Sequence, residues 1–109
     1  MELKNIPFNA INWDDITSEE HKSTAGKAFW KVVKQGNVRA RIVEYTPGYL
    51  ADHWCEKGHV VYVLEGEFTS ELKDGRKFIL TNGMSYIVAD NTDPHRSTTK
   101  KGVKLFIVD

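Results

Sequence analysis

Along most of the chain hydrophobic and polar residues alternate with a period of two. That repeat sends successive side chains to opposite faces of a β-strand. In Val38-Arg39-Ala40-Arg41-Ile42-Val43-Glu44-Tyr45, Val38, Ala40 and Ile42 share one face and the two arginines share the other. In a barrel the arginine face is either lumen or solvent, and only a lumen would let Arg39 or Arg41 meet a substrate carboxylate. Phe68 to Leu72 alternates in the same way, and Asp74-Gly75 after it is a strong hairpin dipeptide. Lys77 to Leu80 reads as the return strand, Asn82-Gly83 as a turn, and Met84 to Val88 as a further strand. Ala28 to Val33, Val60 to Leu64, Arg96 to Thr99 and Val103 to Val108 complete the set, with Glu65-Gly66-Glu67 read as a turn after Leu64. Trp13, Trp30 and Trp54 read as core anchors.

Two regions depart from this pattern. Residues 1–12 alternate weakly through Leu3, Ile6, Phe8 and Ala10, which predicts an edge strand where Pro7 is tolerated. Residues 13–24 have helix character, because Thr17-Ser18-Glu19-Glu20 has the spacing of a capping box. Gly26 ends that stretch, so it predicts a short helical turn, with His21 in a solvated segment. Short strands with turns every eight to twelve residues predict an all-β sandwich or small barrel. No amphipathic helix is long enough to cover a parallel sheet.

The 109 residues suit one domain, residues 1–27 being an N-terminal extension and 28–109 the barrel. Fifteen basic residues balance fifteen acidic ones, which gives no electrostatic reason to expect nucleic acid or an anionic membrane surface. The longest apolar run is far too short to span a bilayer. The N-terminus lacks the basic start and apolar core of a secretion signal, and a single cysteine makes no internal disulfide. The expectation is a cytoplasmic protein with Cys55 reduced.

The chemistry is concentrated in Asp52-His53-Trp54-Cys55-Glu56-Lys57-Gly58-His59, with His95 arriving 36 residues after His59. Imidazole nitrogens and a thiolate suit Zn, Fe, Ni or Cu and disfavour Mg or Ca. As a strand, the stretch would aim His53 and Cys55 the same way. Taken singly, each residue is also readable as a hydrogen-bonded pocket histidine or a small buried thiol. Asp52 is a candidate to orient a ligand histidine. Tyr62, Tyr86 and Arg41 are candidate pocket residues, and Arg96 should point outward by parity.

The order Gly48, His53, Cys55, His59, Tyr62-Val63-Leu64-Glu65-Gly66-Glu67, Gly83 and His95 resembles the two motifs of the cupin superfamily. His53-Trp54-Cys55 stands where that family has His-X-His. His59 stands at its glutamate, with six residues between it and Gly66, and Gly83 with His95 matches the second motif at one residue longer spacing. The Pro and inner Gly of that second motif are missing. Asp52-His53-Trp54-Cys55 also resembles the motif of the small DHCW group of cupin-fold proteins. The resemblance covers residues 40–109 and implies a double-stranded β-helix, or jelly-roll barrel, that is often dimeric. It also implies a divalent transition metal held by His53, Cys55, His59 and His95, and a small-molecule ligand in the barrel.

The resemblance leaves the activity open, because cupins include enzymes and non-enzymatic binding modules. A closed tetrahedral zinc site would be structural. A six-coordinate metal would keep positions open for chemistry on a small polar metabolite. Three histidine ligands with Cys55 free would leave a redox-sensitive or nucleophilic thiol. A sensing module, or a metal-free barrel that pairs through edge strands, completes the alternatives.

Overall fold

The alternating segments become eight antiparallel strands in a computed structural model that describes residues 2–109. They are β1 (Glu19–Lys22), β2 (Lys27–Gln35), β3 (Val38–Tyr45), β4 (His59–Leu72), β5 (Lys77–Thr81), β6 (Ser85–Val88), β7 (His95–Thr98) and β8 (Val103–Val108). One sheet runs β1-β2-β3-β8-β4-β6, and a second runs β5-β4-β7. Strand β4 belongs to both. Its first half pairs with β6 and β8, and its second half with β5 and β7. This all-β jelly roll has the architecture expected from the turn spacing.

The corner in β4 falls where the sequence reads as a turn. Glu65-Gly66-Glu67 does not end the strand; the β4–β8 register shifts between Val63 and Glu65. A bulge bends a strand without cutting it. Gly66 has φ of +91°, and a Cβ there would meet the Gly102 carbonyl oxygen at 2.5 Å. Only glycine fits that conformation and that approach. The shift also changes which parity faces inward. His59, Val61 and Val63 are buried before the bulge, and Phe68 and Ser70 after it.

The core is the shared inner face of both sheets. Val43, Val61, Val63, Phe68, Leu80, Val103, Leu105 and Ile107 form one buried cluster, with Trp30, Tyr45 and Tyr86 packed against it. Burying a side chain such as Leu105 is worth about 1.5–3 kcal/mol. Arg41 and Val43 both point inward from β3, so the arginine face is the lumen.

The N-terminal reading changes in two places. Residues 2–12 form no strand, and Met1 lies outside the described residues. The helical turn is a single 3₁₀ turn at Trp13–Asp15, capped by the Asn12 side chain. The capping-box residues Glu19 and Glu20 open β1 instead, because pairing with Phe29 and Trp30 satisfies their backbone groups. Of the three tryptophans read as core anchors, Trp30 packs against the core, whereas Trp13 and Trp54 lie outside it. Trp13 meets Phe106 edge-on at 6.1 Å, and Arg96 lies 4.4 Å over Trp54. Among the described residues no helix is long and apolar enough to cross a membrane.

Candidate metal centre

Cys55 and His95 face each other across an isolated antiparallel bridge. Cys55 N–H donates to the His95 carbonyl at 2.7 Å, and His95 N–H donates to the Cys55 carbonyl at 3.0 Å. Directly opposed residues of an antiparallel pair share a face, so the sulfur and the imidazole project together. His59 opens β4 with its side chain inward, 8% exposed. The Cys55 Sγ and one nitrogen of each imidazole lie within 4.8 Å of one another. Gly58 fixes the approach to this point. Its N–H donates to Asp90 at 2.6 Å, and a Cβ would fall 2.5 Å from the Asp90 nitrogen.

The hydrogen bonds assign the imidazole protons. The Asp93 carbonyl only accepts, so His95 donates to it from Nδ1 at 2.8 Å. The Asp109 carboxylate accepts from Nδ1 of His59 at 3.3 Å. Both neutral rings then present bare Nε2 lone pairs, and those two atoms are 2.9 Å apart. Two lone pairs at that distance repel unless a proton or a cation lies between them. Two imidazole nitrogens at about 2.1 Å from a shared ion stand about 3.0–3.4 Å apart, close to what is seen. Orientation of ligand histidines by a carboxylate and a carbonyl is the usual outer support of a metal site. The donor set therefore fits a transition metal of the Zn, Fe, Ni or Cu type.

The electrostatics agree with that donor set. Burial and the neighbouring His95 depress His59 to about 4, against the opposing pull of Asp109, so His59 is neutral at pH 7. Hydrogen bonding to His95 draws the Cys55 thiol below its ordinary value, with burial opposing. Burial works to lower His95, but Cys55 and the Asp93 carbonyl outweigh it and leave the imidazole raised. Burial holds the Tyr86 phenol well above its ordinary value, and its hydroxyl lies 3.0 Å from His59 Nε2.

The other candidates separate into three positions. His53 stays outside the cluster, its side chain 76% exposed and bonded to Asp52 at 2.6 Å. Apart from the single bridge at Cys55, residues 51–58 are loop, so the two-residue parity that would align His53 with Cys55 does not operate. Asp52 does orient a histidine, but that histidine is at the surface. Tyr62 is on the outer face, 44% exposed, because His59, Val61 and Val63 take the inward positions of β4. Tyr86 and Arg41 line the cavity beside the cluster. Arg96 alternates away from His95 and pairs with Glu71 at 3.4 Å. His21 is exposed yet stacks on Trp30 at 4.1 Å between ring centres.

Asp109 is the residue that sequence reasoning misses. Its carboxylate, 1% exposed, accepts from Arg39 at 2.9 and 3.1 Å and from Arg41 at 3.1 Å, besides His59. Burial would raise its pKa, but the Arg39 hydrogen bond and the two guanidinium charges hold it below the usual carboxylate range. The available signal was parity, since Val103, Leu105, Ile107 and Asp109 share one face. The cavity over the cluster is about 290 Å³. A wider apolar cleft of about 460 Å³ lies between β5 and β6, with Tyr86 lining both spaces. The cleft includes none of Cys55, His59 and His95, so the chemistry belongs to the smaller cavity.

No protein-family model matches the sequence, and no curated protein matches it. Solved structures do match the fold. Fe(II)-HppE with an alternative substrate superposes at a TM-score of 0.77 and 17% identity, over 94% of this chain and 60% of that one. The polyketide cyclase RemF from Streptomyces resistomycificus gives 0.75 at 20% identity, over 94% and 78%. An RmlC-like cupin from Shewanella frigidimarina gives 0.73 at 22% identity, over 94% and 89%. The chain is a cupin-fold protein, with a Cys/His/His group of metal-binding type in its barrel.

Proposed function

We propose that this protein binds one divalent transition metal through Cys55, His59 and His95 and presents it to a small polar metabolite in the adjoining cavity. The observation that carries this reading is the pair of Nε2 atoms at 2.9 Å, both with proton-bearing Nδ1 partners and both beside a thiol. With His53 outside the group, three protein donors leave a coordination position open. An open position marks a site for chemistry or ligand exchange, whereas closed four-donor zinc sites are structural. A metal bound there supplies Lewis acidity or, if redox-active, an electron-transfer centre. The HppE neighbour is an Fe(II) protein, which keeps iron beside zinc, nickel and copper as the candidate metal.

The protein's own contribution is placement. Asp109 and the Asp93 carbonyl fix the two imidazoles, and Tyr86 keeps a protonated hydroxyl against His59. Among the described residues, no carboxylate lies at the cluster free of a partner, since Asp109 is committed to Arg39, Arg41 and His59. That commitment favours a second reading, a binding or sensing module in which the metal and Cys55 respond to ligand or redox state. A reducing compartment such as the cytoplasm suits either reading, because the thiolate must stay unoxidised.

Elemental analysis with an absorption spectrum of protein purified without chelator tests the reading. Close to one transition metal per chain is expected. Metal content at background, with no uptake of zinc or iron, would reject it.

A further inference from the structure

The chain has no net charge, yet its site cavity does. Among the described residues the lining includes Arg39, Arg41, Lys57 and Arg96 against one acidic residue, Asp109. Arg96 is answered by Glu71, but Asp109 alone answers both Arg39 and Arg41. Its Oδ2 takes Arg39, Arg41 and His59 together, while Arg41 receives that single oxygen. Arg41 is 6% exposed, and among the described residues its Nε has no hydrogen-bond partner. The Trp30 indole Nε1 is buried and unpartnered too, and the Arg41 guanidinium lies 4.5 Å over that ring. Buried donors are almost always paired, and a buried charge surplus is costly. Two orphan donors on stacked side chains of one cavity point to a missing acceptor.

We infer that the cavity takes a small organic acid, its carboxylate accepting from Arg41 Nε and Trp30 Nε1 and its other end directed at the Cys55, His59 and His95 cluster. This names the ligand class for the site proposed above and rests on that reading for the second end only. The volume of about 290 Å³ is at the lower limit of small-molecule pockets, which suits a short acid and excludes a polymer. Two unpaired donor groups match the two oxygens of a carboxylate. A phosphate would bring more oxygens and more charge than these donors can satisfy. Tyr45 and Tyr49, stacked at 4.0 Å on the cavity wall, supply an apolar surface for the carbon skeleton.

The test is to titrate acetate, malonate and succinate into protein carrying ¹⁵N-labelled tryptophan, zinc-free and zinc-loaded. The chain has three indole N–H resonances, and Trp30→Phe identifies the one in the cavity. At least one acid should shift the Trp30 resonance saturably, while malonamide, its neutral counterpart, should not. Arg41→Gln should weaken that acid at least tenfold. If this variant does not fold, the Trp30 resonance of the unaltered protein still decides. No Trp30 shift with any of the three acids, an equal shift with malonamide, or tighter binding of inorganic phosphate would overturn the inference. Zinc uptake, measured separately, distinguishes the two readings. Failure to bind zinc with an intact response to one of the acids sinks the metal site alone, and the reverse sinks the carboxylate subsite alone.

Discussion

Replacing Asp109 with asparagine removes the one negative charge that serves Arg39, Arg41 and His59. The carboxylate is 1% exposed and Arg41 side-chain exposure is 7%, so neither can be rescued by water without local opening. Breaking a buried ion pair from one side costs about 3–5 kcal/mol, because the remaining charge is left unpaired. Two features reduce that figure. Asparagine keeps one acceptor oxygen, and the Arg39 side chain is 29% exposed and able to rehydrate. The expected loss is therefore about 2–4 kcal/mol at pH 7, out of the roughly 5–15 kcal/mol typical of a domain. Urea unfolding of chelator-treated protein measures it as a fall in midpoint at constant slope. The sign with pH is also fixed. A carboxyl held below its unfolded value, about 3.9, contributes fully above that value and loses its contribution as pH falls through the folded one. The gap between the two proteins should thus be constant near neutrality and shrink only below about pH 4. A loss under about 1 kcal/mol at pH 7, or a gap that stays open in strong acid, would refute the assignment of Asp109 as the shared buried counter-charge.

Other outcomes follow from the same geometry. Gly66→Ala should cost more than about 1 kcal/mol by thermal melting, because its φ and the 2.5 Å approach to Gly102 both resist a Cβ; an unchanged melting temperature would contradict the corner. His59, depressed to about 4 from an unfolded value near 6.5, should make metal-free protein lose stability as pH falls from about 6.5 to 4. A flat profile over that interval would mean that His59 is not buried as a neutral ring. His53→Ala should leave metal stoichiometry unchanged while His95→Ala abolishes or sharply weakens it, read by elemental analysis; equal loss from both would place His53 in the coordination set. Metal affinity should drop as pH falls, since the thiol and both imidazoles must be deprotonated to bind, and proton release on zinc addition measures this.

The strands were legible because their pattern is strong. Val38–Tyr45 and Val103–Val108 begin and end where the alternation and turn residues place them. The β4 corner was less so, since a bulge and a turn share the same glycine signal and only pairing on both sides separates them. The N-terminal stretch misled because a capping spacing carries little weight against the pairing of β1 with β2. At the site, Cys55, His59 and His95 come together, but the cause is a cross-chain bridge between Cys55 and His95 that no local pattern announces. His53 was grouped with them on strand parity, and the loop at 51–58 removes the premise. Asp109 lies one residue past β8, where a reading that stops at the strand's end does not look. The arginine face of β3 was visible, but its inward direction depends on which way the sheet curls.

Cobalt(II) titration of the chelator-treated protein, followed by absorption, addresses the coordination set most directly. Uptake of about one equivalent is expected, with a thiolate-to-cobalt charge-transfer band that disappears in Cys55→Ser and persists in His53→Ala. No uptake, or a spectrum unchanged by the loss of the Cys55 sulfur, would contradict a metal centre built on Cys55, His59 and His95.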